Sequence, residues 1–164
     1  MATFSKLFSD TRSALASEDA QATVRFCVAS RGRNGLHRTV SIREFSVDVD
    51  EPPALGGNDK APNPVEYALA ALATCQEITY RLHADALGIP LDDVSVRLEG
   101  EIDLRGFFGA ASSVRPGFQR VTGSVSFDST ASADDLARLK RVVDAHCPVL
   151  DLFSNATPVR IDIA

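Results

Sequence analysis

The sequence predicts an α+β fold with antiparallel pairing, and three observations carry that prediction. Apolar residues alternate with polar ones over several strand-length stretches, two longer segments repeat apolar residues at helical spacing, and turn-forming residues separate them. The elements read as β-β-α-β-β-α-β, preceded by a short helix. With 164 residues and 45% hydrophobic content, the chain can bury a core without disulfide staples. A net charge of −5 argues against nucleic acid as a partner, because phosphate binding needs a basic surface. No apolar run approaches the roughly 20 residues of a membrane span. The first residues lack the apolar core of a signal peptide, so a cytoplasmic protein is expected.

The elements follow in order. Phe4, Leu7, Phe8 and Leu15 are loosely helical in spacing and predict a helix within residues 3–17. Val24, Phe26 and Val28 alternate within 20–29 and predict a strand. Gly32 and Asn34-Gly35 mark a hairpin turn. Residues 37–50 predict a second strand, bulged or bent near Arg43-Glu44, where the apolar parity changes. The proline- and glycine-bearing stretch 51–64 is a loop, and Pro64 opens a helix running to about Gly88. Residues 92–106 and 118–129 predict two strands, with a loop between them carrying Phe107 and Phe108. Ser132 is a suitable N-cap for a second helix, with Asp134 and Asp135 in its first turn and Leu136, Leu139, Val142 and Val143 as its apolar stripe. A turn over 147–158 and a last strand over 159–163 complete the chain.

From Tyr67 to Thr74 the first long helix is apolar nearly all round. Such a helix cannot lie on a sheet with one face in water, and a domain of this size has little room to enclose it. An intertwined homodimer, in which a partner covers the second face, is the simplest arrangement.

Three cysteines form neither a secreted disulfide framework nor a zinc pattern. Cys75 lies on the apolar helix, sharing a face with Ala71, Leu72, Ile78, Thr79 and Leu82 at about 100° per residue. A thiol there is either a small core hydrophobe or a reactive group that needs a nearby cation to become a thiolate. Cys147 ends the second helix and precedes Pro148, which cannot continue it. The two cysteines could meet if their helices pack side by side. Cys27 lies opposite the apolar parity of its strand and carries no assigned role.

These residues resemble those of the OsmC/Ohr family, the osmotically inducible and organic hydroperoxide resistance proteins. The likeness rests on "RGRNG" at 31–35, "EPPALGGNDKAPNPVE" at 51–66, "YALAALATC" ending on Cys75, "HCPV" at 146–149 and the strand region 86–106. It covers about residues 20–164 and leaves residues 1–19 as an N-terminal helical extension. The resemblance implies antiparallel curved sheets around two central helices in an intertwined homodimer. It also implies an antioxidant thiol peroxidase that acts on organic hydroperoxides without metal or cofactor. Cys75 would be the peroxidatic nucleophile, and Cys147 would resolve its sulfenic acid as a Cys75–Cys147 disulfide. An external dithiol such as a dihydrolipoyl protein would then reduce the disulfide. Arg33 would supply the cation. The family commonly places the glutamate that clamps this arginine directly after the helix-opening proline, whereas here Val65 holds that position and Glu66 follows it.

Other residues compete for these roles. Arg43 is a rival cation, and His146, beside Cys147, is a candidate to lower that thiol's pKa. His83 and Tyr80 read most simply as helix and packing residues. Phe107 and Phe108 either wall a pocket for an organic tail or pack inward. The competing class is a non-catalytic ligand-binding or redox-sensing protein, and a third reading makes all three cysteines structural.

Overall fold

The computed structural model describes residues 4–17 and 22–163. The helices are α1 (Ser5–Ser17), α2 (Pro64–Leu87), α3 (Leu104–Phe107), α4 (Ala133–His146) and α5 (Pro148–Ser154). The strands are β1 (Ala29–Asn34), β2 (His37–Ile42), β3 (Phe45–Val49), β4 (Asp93–Ile102) and β5 (Phe118–Asp128). All pairing is antiparallel, in a β1-β2-β3 sheet and a β4-β5 ribbon. The α+β class and the antiparallel pairing are those the sequence predicts. The chain divides into two compact units, residues 10–70 and residues 1–9 with 71–164.

Local chemistry sets several boundaries. Pro64 has no N–H to lose in the first turn of α2, and Gly88 ends that helix in the left-handed region at φ 67°. Ser132 caps α4, its hydroxyl accepting the Asp135 N–H at 3.2 Å.

Five readings are corrected. Residues 22–28 belong to no strand among the described residues, although their alternation is clear, and β1 begins only at Ala29. An alternating segment becomes a strand only beside a partner, and among the described residues no strand pairs with this one. Among the described residues no strand pairs with 159–163 either, whereas the 20–21 portion of the first expectation lies outside the described residues. Residues 37–50 are not one bent strand but β2 and β3, joined by a tight turn in which Arg43 adopts φ 54°. The strand predicted over 92–106 stops at Ile102, because the Asp103 carboxylate accepts the Arg105 N–H and caps α3. The stretch after Cys147 is helix rather than turn. Pro148 does not continue α4, which ends at His146 as expected, and it occupies the first position of α5, where proline is favoured.

In the 71–164 unit, Tyr80 and Ala84 of α2, Leu139 and Val143 of α4, and Ile89 and Leu91 between them form one core, with Val94, Val96, Val125 and Phe127 of the ribbon packed against it. Phe127 meets the Tyr80 ring edge to face at 5.1 Å between centroids. Leu139 is completely enclosed. Leu139→Ala should therefore cost about 2–5 kcal/mol, read as a lowered urea midpoint at unchanged slope.

Candidate functional site

The site begins with the meeting of α2 and α4. Tyr80 and Ala84 face Leu139 and Val143 in the core, and this contact carries Cys75, one turn before Thr79, up to the C-terminal end of α4. Cys147 terminates α4 and begins α5, its N–H donating to the Val143 carbonyl at 2.9 Å. The two sulfurs stand 3.4 Å apart, both as free thiols. That is contact distance, reached by residues 72 positions apart in sequence. Cys147 is 2% exposed, whereas Cys75 is only partly buried. A small oxidant can reach Cys75 more easily than its neighbour.

Burial pushes the Cys75 thiol up from its ordinary value of 9.0, and Cys147 adds to that rise. Two groups oppose it. The Val149 backbone N–H donates toward the sulfur and favours the thiolate, and Thr79 works in the same direction, but burial wins. The Thr79 hydroxyl donates its proton to the Cys75 carbonyl at 2.7 Å, one turn back on α2. Thr79 is buried, and as a donor to Cys75 it is a site residue that the sequence showed only as part of the helix face. Ile78, placed on that face by a straight helical wheel, is 62% exposed. The buried face runs instead through Leu72, Gln76, Thr79, Tyr80 and Ala84.

The histidines of this unit interact with each other. The His83 and His146 rings stand 5.1 Å apart, and Phe8 of α1 meets His83 edge-on at 4.9 Å. Burial, with a contribution from His146, lowers the His83 pKa. His146 donates Nδ1–H to the Val142 carbonyl at 2.7 Å. Tyr80 is a core residue whose hydroxyl is pushed up to about 12 by burial and by Asp144 and Cys147, so it stays protonated. Phe107 and Phe108 contact each other at 5.0 Å, and both are more than half exposed. They do not line the groove of about 840 Å³ in this unit. That groove is bordered by Leu72, Gln76, Tyr80, Phe118, Leu150 and Phe153 and includes neither sulfur.

The 10–70 unit holds the other residues expected at the site. Arg33 lies on β1, where its Nε donates to Thr39 Oγ1 at 2.9 Å. Glu66 forms a reciprocal capping box with Asn63: the Asn63 N–H donates to Glu66 Oε2 at 2.7 Å, and the Glu66 N–H to Asn63 Oδ1 at 2.9 Å. Among the described residues no ion pair joins Arg33 to Glu66. Arg43 lies over the Phe45 ring at 5.1 Å. Asp50 carried no expectation, yet it is 1% exposed and accepts the backbone N–H groups of Glu51, Asn58 and Lys60, which fixes the loop before α2. Gly57 completes that loop, since a Cβ there would lie 1.8 Å from the Glu51 carbonyl oxygen. Cys27 is exposed.

A family model described as OsmC-like protein matches residues 57–162, and the chain belongs to that family. Solved structures share its fold. A crystal structure of an OsmC-like protein from Mycoplasma pneumoniae superposes with a TM-score of 0.68 at 17% identity, covering 80% of this chain and 88% of that one. An organic hydroperoxide resistance protein OsmC from Legionella pneumophila gives 0.62 at 22% identity, covering 81% and 91%. One from Elizabethkingia anophelis gives 0.63 at 17% identity, covering 80% and 89%. No curated protein matches the chain.

Proposed function

We propose that this member of the OsmC-like family is a cysteine-based peroxidase that reduces organic hydroperoxides. The observation that carries the reading is the 3.4 Å contact between the Cys75 and Cys147 sulfurs. The hydroperoxide resistance proteins of similar fold add support for the substrate class. In the proposed cycle the Cys75 thiolate attacks the distal oxygen of ROOH. The O–O bond breaks, its electron pair leaves with the alkoxide, and the alkoxide takes a proton to become an alcohol. Cys75 is then a sulfenic acid. The Cys147 sulfur attacks it, water leaves, and a Cys75–Cys147 disulfide forms. An external dithiol, such as a reduced lipoyl protein, returns both thiols by exchange.

Burial opposes the first step by holding the proton on Cys75, so the thiolate needs a cation. Arg33 takes that role in this proposal, as the family resemblance implies. Glu66 would have to hold Arg33 while its Oε2 accepts the Asn63 N–H. In Arg33→Ala, burial should still outweigh Val149 and Thr79, so the pH midpoint for iodoacetamide labelling of Cys75, followed by peptide mass spectrometry, should lie above 9.0. The unmodified protein should label at a lower pH, because the cation favours the deprotonated form. Coincident midpoints would remove Arg33 from the site.

The active form is proposed to be a cytoplasmic homodimer. Val24, Phe26 and Val28 are 68–90% exposed, and Val159, Ile161 and Ile163 are 78–103% exposed. Alternating apolar residues exposed on segments that no described strand pairs are surfaces that a second copy can cover. Light scattering should give twice the 17.6 kDa chain mass.

A second reading is a non-catalytic ligand-binding or redox-sensing protein. It is favoured by the raised Cys75 pKa and by the engagement of Glu66 in its capping box. One equivalent of cumene hydroperoxide separates the two. Rapid loss of two thiols per chain, reversed by a dithiol, supports the peroxidase, and no loss supports the binder.

A further inference from the structure

Arg33 occupies an irregular position in its sheet. Gly32 pairs with Arg38 and Asn34 with His37, so Arg33 is the extra residue of a bulge with no partner on β2. A bulge turns the side chain of its extra residue away from the direction a regular strand would give it. The side chain is then caught. Its Nε donates to Thr39 Oγ1 at 2.9 Å, and the Thr39 hydroxyl spends its one proton on Asp48 Oδ1 at 2.8 Å. A hydroxyl that donates to a carboxylate has its lone pairs fixed, and one of them faces Arg33. Thr39 and Asp48 are opposite one another in the β2–β3 register, so the sheet itself aligns the chain of bonds. His37 Nε2 lies 3.4 Å from the same Asp48 oxygen, at the edge of this network. The two terminal nitrogens of Arg33 have no partner among the described residues.

We infer that Thr39 and Asp48 are the positioning residues of Arg33, holding its guanidinium by Nε and leaving both terminal nitrogens for the oxygens of the substrate. The inference rests on the peroxidase reading above. It gives Asp48 the anchoring part that the family's glutamate plays elsewhere, while Glu66 serves the start of α2. Thr39 and Asp48 act through Arg33 and touch no reacting atom.

The test uses the full chain, cumene hydroperoxide and two readouts. The first is the second-order rate of Cys75 oxidation. The second is the NMR signal of the Arg33 Nε–H, assigned by its loss in Arg33→Ala. Thr39→Val and Asp48→Ala should each slow oxidation by about 10-fold or more, approaching Arg33→Ala, since a displaced electrostatic group loses most of its effect. Both should also shift the Nε–H signal and speed its exchange with water. Thr39→Ser should restore both readouts. Ser41→Ala, an exposed neighbour on β2, should change neither. Wild-type rates in Thr39→Val and Asp48→Ala, with Arg33→Ala slow, would overturn the inference while leaving the peroxidase reading intact. A loss in Glu66→Gln matching that of Arg33→Ala, with Thr39→Val unaffected, would return the anchor to Glu66. An unaltered rate in Arg33→Ala would overturn both Arg33's role and this inference, even if the Nε–H signal still depended on Thr39.

Discussion

Cys75→Ser is expected to reduce the rate of organic hydroperoxide consumption by at least about a thousandfold, to the level of the buffer reaction. The serine hydroxyl stays protonated throughout the accessible pH range and is a poor nucleophile toward peroxide oxygen. No other sulfur is equipped to substitute. Cys147 is 2% exposed, and Cys27 is an exposed thiol remote in sequence from the Cys75–Cys147 contact. Oxygen in place of sulfur at a partly buried position next to Thr79 should leave the circular dichroism spectrum unchanged. The measurement is peroxide consumption under a regenerating dithiol, with thiols counted before and after one equivalent of oxidant. Continued rapid consumption by Cys75→Ser would end the nucleophile assignment. Equal stability loss without any difference in chemistry would favour the reading in which the cysteines are structural.

How far such a site can be read from sequence depends on whether the determining interaction is local. The start of α2 at Pro64, its end at Gly88 and the Ser132 cap of α4 are settled within one turn of backbone, and each was legible. The capping box was legible in principle too. Asn63 and Glu66 have its spacing, and that pattern would have signalled a carboxylate engaged at the helix start. The turn at Arg43 showed only as a change of apolar parity, because a non-glycine residue adopts the left-handed region there. Residues 22–28 and 159–163 show strand alternation, but alternation does not supply a neighbour. The Cys75–Cys147 contact follows from the packing of Tyr80 and Ala84 on Leu139 and Val143, a tertiary choice that helix phase alone could only permit. The Thr39–Asp48 bond required the register of β2 on β3, which no single strand discloses.

Cys147→Ser should separate the two chemical steps that Cys75→Ser removes together. The first equivalent of hydroperoxide should still be consumed at close to the unmodified rate, because the attacking sulfur is intact. The product should be a Cys75 sulfenic acid that dimedone traps, with one thiol lost per chain instead of two. Sustained turnover with a dithiol should fall by about 100-fold or more. In the proposed cycle a resolving sulfur held 3.4 Å away acts at an effective concentration that no external thiol can match. A hydroxyl buried at this position could also destabilise the chain by about 1–3 kcal/mol if it lacked a partner. Cys147→Ala, which buries no polar group, therefore serves as the companion variant and should show the same kinetic split. Sulfenic acid accumulation in both variants would tie resolution to the Cys147 sulfur and not to the packing around it. Unimpaired turnover in both would mean that the contact between the two sulfurs takes no part in the cycle, and the disulfide step would have to be abandoned.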